Sequence, residues 1–65
     1  MAQDRVTRDE LRNIRVKQTR IFILNEPKQI PAARMQAFQL AREENMKFSI
    51  RTDFRSVAIA ITREG

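Results

Sequence analysis

The sequence predicts a single small α+β domain, with a three-stranded sheet in order 1-3-2 and one main helix packed on it. Three observations carry that expectation. Residues 18–24, 46–51 and 57–61 are rich in β-branched and aromatic side chains, and the last two alternate apolar with polar or small residues. Residues 31–44 are dominated by strong helix formers. The resulting order, α-β-α-β-β, closes on a hairpin and places the first two strands parallel with the third between them, a split βαβ unit with a right-handed crossover.

Taken in order, residues 1–6 are expected to be flexible. Thr7-Arg8-Asp9-Glu10 reads as a capping box, in which the hydroxyl of Thr7 accepts the Glu10 amide proton and the Glu10 carboxylate reaches back. Leu11 and Ile14 follow at a spacing of three, so a short helix is expected over residues 8–13. Too short to stand alone, it must dock on something.

The first strand, residues 18–24, carries Ile21 and Ile23 on one side and Phe22 and Leu24 on the other. A strand apolar on both sides is expected to have both faces covered. Asn25-Glu26-Pro27-Lys28 ends it as a turn. Pro31 is placed at the first helical position, where its missing amide proton costs nothing. In the helix to Glu44, Ala33, Ala37, Leu40 and Ala41 share a stripe, with Phe38 at its edge. Asn45 suits the left-handed residue that stops a helix. The second strand, 46–52, turns Met46, Phe48 and Ile50 inward, and the third, 57–63, turns Val57, Ile59 and Ile61 inward. The intervening turn has no glycine, so more than two residues are expected in it.

Composition narrows the chemistry. The 65 residues contain neither cysteine nor histidine, which removes disulfides, thiolate metal sites and the commonest general base. The one glycine is Gly65, so no glycine loop can cradle a phosphate. Ser49 and Ser56 have no histidine to activate them, and adjacent Glu43 and Glu44 diverge on a helix. The expectation is therefore no enzyme, no cofactor, no metal and no small-molecule substrate. Met1 to Arg5 lead into charged residues rather than an apolar signal segment, and Val57–Ile61 is far too short to span a bilayer, so a cytoplasmic protein without membrane contact is expected.

The chain carries 13 lysines and arginines against 8 acids, a net charge of +5, and ten of the cations are arginine. Arginine's planar fork suits phosphates and guanine edges. The leading expectation is thus a small basic nucleic-acid-binding protein, most readily DNA-binding, with an accessory or regulatory role and a capacity to dimerise. Its contacts would come from the outward side of the closing hairpin, Lys47, Ser49 and Arg51 with Arg55 in the turn, and from Arg8, Arg12, Arg15 and Lys17 near the amino terminus. Arg5, Arg8, Arg12 and Arg15 step by three or four, so one face carries them if the helix extends that far. Phe54, flanked by Asp53 and Arg55 in the turn, is the candidate for stacking on a base or anchoring an interface.

The competing expectation is a protein-interaction module, an inhibitor or assembly factor that pairs with a partner or with itself. The layout of the cations discriminates between the two. Convergence on one face favours nucleic acid; scattered cations beside exposed Ala58, Ala60 and Phe54 favour a protein surface.

Overall fold

A computed structural model describes residues 2–65, and its elements follow the expected order. Helix α1 spans Arg8–Arg12, strand β1 Thr19–Ile23, helix α2 Gln29–Glu44, and strands β2 and β3 Phe48–Asp53 and Ala58–Arg63. The sheet order is β1-β3-β2, with β3 antiparallel to both neighbours. The fold is therefore α+β with the split βαβ topology that the sequence implies.

The capping box forms as drawn from the sequence, with the Thr7 hydroxyl accepting the Glu10 amide and the Glu10 carboxylate accepting the Thr7 amide. Asn13 ends α1 after one turn and a half, so Arg15 lies outside it and the basic stripe through residues 5, 8, 12 and 15 is broken. α1 docks on α2 through buried Leu11, while Ile14, just past the helix, is buried as well. Residues 2–6 make contacts with the body of the fold. The Gln3 amide donates to the Ile23 carbonyl at 2.9 Å, the Asn25 amide donates to the Gln3 carbonyl, and Val6 is part of the core. Of the expected flexible segment, Met1 lies outside the described residues.

α2 begins at Gln29, so Pro31 sits third in the first turn instead of first, a place that still asks nothing of its missing amide. Ile30, Ala33, Ala37 and Leu40 form its buried stripe. The small alanines let the helix approach the sheet closely, and Ile59 and Ile61 of the central strand meet it with Phe22 of β1. Asn45 takes the left-handed conformation, φ 55°, and closes the helix.

Two other non-glycine residues have positive φ, Lys17 at 71° and Val57 at 52°. At Lys17 the chain makes a bulge: the Lys17 amide donates to the Arg63 carbonyl, and the Arg63 amide donates to Gln18. Val57 lies at the end of the hairpin turn, where a glycine is the usual occupant.

A further expectation fails at β1. β1 is apolar on both sides, yet only one is covered. α2 packs on the face that holds Phe22, Ile59 and Ile61, and α1 packs on α2 rather than on the far side of the sheet. Ile21 is left 65% exposed and Ile23 41%. No helix is long and apolar enough to cross a membrane among the described residues.

Candidate functional site

The uncovered face of the sheet can be read row by row from the strand register. Thr19 pairs with Thr62, which pairs with Ser49; Ile21 pairs with Ala60, which pairs with Arg51; Ile23 pairs with Ala58, which pairs with Asp53. Cross-strand partners share a face, so these nine side chains form one surface. It has a column of isoleucine on β1, a column of alanine on β3, and a polar column on β2. The Thr19 and Thr62 hydroxyls hydrogen-bond to each other at 2.6 Å. Beyond Ser49 the hairpin continues, and the Glu64 amide donates to the Lys47 carbonyl, which stands Glu64 opposite Lys47.

The charges on this face balance. Lys47 and Arg51 are matched by Glu64 and Asp53. Asp53 also organises the turn, accepting from the backbone amides of Arg55 and Ser56 and from the Ser56 hydroxyl. Hydrogen bonds from the Ser56 hydroxyl and amide hold its carboxyl below the ordinary aspartate value, so it stays ionised beside Arg51.

The amino-terminal cations named from the sequence stand elsewhere. Arg8 makes a two-pronged ion pair with Glu43, and Arg12 bonds Glu44 at 2.6 Å and Asp9 at 3.3 Å. Both arginines therefore clamp α1 to the last turn of α2, on the helical side of the molecule. Their neighbouring carboxylates hold both guanidinium groups firmly charged, chiefly through the hydrogen bonds that Arg8 donates to Glu43 and Arg12 donates to Glu44. Arg15 and Lys17 are exposed in the loop before β1, at the end of the sheet where Lys17 meets Arg63. Arg55 is exposed in the hairpin turn at the opposite end. Of the residues expected to contact nucleic acid, the fold brings Lys47, Ser49 and Arg51 onto one face, carries Arg8 and Arg12 to the helical side, and leaves Arg15, Lys17 and Arg55 in the loops at the two ends of the sheet.

Arg20 and Arg34 are occupied differently. Each guanidinium lies over a phenylalanine ring, Arg20 at 5.2 Å from the centroid of Phe22 and Arg34 at 5.4 Å from that of Phe38. Phe54, singled out from the sequence, is 56% exposed. It does not border the bare face. Instead it lines a groove of about 560 Å³ between α2 and β2, opposite Met35 and Phe38 of the helix.

Sequence reasoning missed Ile21 and Ile23 as surface residues, because alternation alone reports two apolar faces and not how many layers exist to cover them. The available signal was the count of helices: one short and one long helix supply a single layer. No protein-family model, characterised protein or solved structure matches the chain.

Proposed function

We propose that this chain is a small non-enzymatic interaction module that works as a homodimer, two copies stacking the bare faces of their sheets. The observation that supports it is the exposed Ile21–Ile23 column beside Ala58 and Ala60, on a face whose charges sum to zero. A phosphate backbone is drawn to a local excess of cations, and this face has none. A protein surface is drawn to apolar area with matched charge.

Self-pairing follows from the row pattern. A two-fold axis crossing the strands between the Ile21 and Ile23 rows sets Ile21 against Ile23 of the partner subunit, and Arg51 against Asp53 of the partner subunit. Each contact then occurs twice. The alanine column permits the close approach that two stacked sheets need, about 10 Å between their mean planes. A second copy also supplies the layer that a β1 strand apolar on both sides calls for. A domain of this size gains most from such a partner, since small chains bury proportionally little of their surface.

Sedimentation equilibrium of the purified protein across the micromolar range tests the reading, and a monomer–dimer equilibrium is the expected result. Titration against a fluorescent random duplex and a single strand at two salt concentrations tests the rival. Duplex binding that weakens steeply with salt and is lost in Lys47→Glu or Arg51→Glu would replace the dimer reading with a nucleic-acid one.

A further inference from the structure

The opposite side of the sheet carries a second surface, which goes beyond the dimer. In β2 the residues that bond to β3 are fixed by the Glu64-to-Lys47 hydrogen bond, which turns the backbone groups of Lys47, Ser49, Arg51 and Asp53 toward β3. The amide and carbonyl groups of Phe48, Ile50 and Thr52 therefore point away from the sheet. β2 is an edge strand, and this row of donors and acceptors has no neighbouring strand among the described residues.

Beside that edge runs the groove between α2 and β2. Met35 is 62% exposed and Phe38 46%, and they face Thr52 and Phe54 across it. The charged residues that line it are Arg34 and Arg42, with no carboxylate among the lining residues. Neither arginine has an ion pair among the described residues. A strand added to β2 would send alternate side chains into this groove and the others outward, the arrangement of peptide binding by strand addition. The cationic, acid-free rim selects the charge of the occupant.

We infer that β2 and the α2–β2 groove bind an extended acidic peptide by strand addition, its groove-facing side chains apolar where they meet Met35, Phe38 and Phe54 and acidic where they meet Arg34 and Arg42. The main-chain bonds supply register-independent attraction, the groove reads the apolar side chains, and Arg34 and Arg42 read the acidic ones. The site lies on the far side of the sheet from Ile21 and Ile23, so it stands or falls separately from the dimer.

The test uses a fluorescein-labelled peptide with leucine and glutamate taking turns at the groove-facing positions and serine at the positions between them, with the corresponding leucine–lysine peptide and a fully N-methylated leucine–glutamate peptide as comparators. Micromolar binding of the first is expected, weakened at least tenfold by Arg34→Glu combined with Arg42→Glu. The methylated peptide keeps every side chain and lacks the donors of both edges, so in either strand direction its binding should be lost without any change to the protein. Amide hydrogen exchange should show new protection at Phe48, Ile50 and Thr52 when the peptide is bound. Equal affinity for the lysine peptide, undiminished binding of the methylated peptide, or protection that appears at Ile21 and Ile23 instead would each overturn the inference. So would protection at Phe48, Ile50 and Thr52 in the free protein, which would mean that a second copy already occupies the edge.

Discussion

Replacing Ile21 with lysine separates what this residue does for the monomer from what it does for the pair. Ile21 is 65% exposed, so folding buries only about a third of it. Full burial of an isoleucine side chain is worth about 1.5–3 kcal/mol, which puts the folding cost of Ile21→Lys at about 0.5–1 kcal/mol. A domain of this length has a total stability of about 3–10 kcal/mol, so the variant stays folded. Stacking two sheets removes the remaining two-thirds of Ile21 from water in both copies. At the same coefficient that loss is about 1–2 kcal/mol per copy and about 2–4 kcal/mol per dimer, a weakening of about 30- to 700-fold in Kd. Sedimentation equilibrium measures the association, and thermal melting under conditions that keep both proteins monomeric measures the fold, with Ala32→Lys on the exposed side of α2 as a control. The reasoning fails if the wild-type chain is monomeric throughout the concentration range. It fails equally if folded Ile21→Lys associates as tightly as the wild type.

Three further substitutions probe the fold beneath that surface. Lys17→Gly relieves a left-handed conformation, φ 71°, at an exposed residue; the relief of about 1–2 kcal/mol outweighs glycine's extra unfolded-state entropy, so melting should rise by a few degrees. Leu40→Ala empties a fully buried position facing the central strand and should cost about 2–5 kcal/mol, leaving a large unfolded fraction in denaturant titration well below the wild-type midpoint. Glu10→Gln tests the pH dependence of the α1 cap. Burial pushes the Glu10 carboxyl up, but hydrogen bonds from the Thr7 amide and the Gln3 side chain outweigh it and hold its pKa below the ordinary value. A pKa lowered by folding means that the stabilisation is present above the unfolded value and is lost as the pH falls through the carboxylate range. Wild-type melting should therefore decline in acid, and the decline should be shallower in Glu10→Gln; identical profiles would contradict the assignment.

The core was legible because alternation and helical period each constrain it independently. Phe22, Ile59 and Ile61 fall on one side of their strands and Ala33, Ala37 and Leu40 on one stripe of α2, and only one docking satisfies all of them. The polar half of the candidate face was legible for the same reason, since Lys47, Ser49 and Arg51 must point opposite Phe48 and Ile50. What local pattern could not reveal was any feature set by distant pairing. Arg8 and Arg12 read as free cations until α1 docks beside Glu43 and Glu44, residues more than thirty positions away. Gln3 and Val6 precede every periodic segment; Gln3 finds its backbone partners at the end of β1, and Val6 joins the core. The turns at Lys17 and Val57 adopt positive φ without glycine or asparagine, so the usual composition signal for them is missing.

Placing the two surfaces on opposite sides of one sheet has a consequence for how the module would work. Stacking through Ile21 and Ile23 sets β2 over β2 of the second copy, so both open β2 edges lie along one side of the pair, with the α2–β2 grooves on its two outer faces. A dimer then offers two equivalent peptide sites with fixed separation, whereas a monomer offers one. Joining two leucine–glutamate peptides by a flexible glycine–serine linker long enough to span the pair should therefore raise the apparent affinity for the wild-type protein by a factor of about 100 or more, through effective concentration alone. The same tandem peptide should gain almost nothing over the single one on Ile21→Lys, whose groove is intact but whose partner is gone. Fluorescence anisotropy with both ligands on both proteins reads the comparison directly. A tandem gain that survives Ile21→Lys would show that the two sites are brought together by some other contact, and would count against the sheet face as the dimer interface even if each groove binds as inferred.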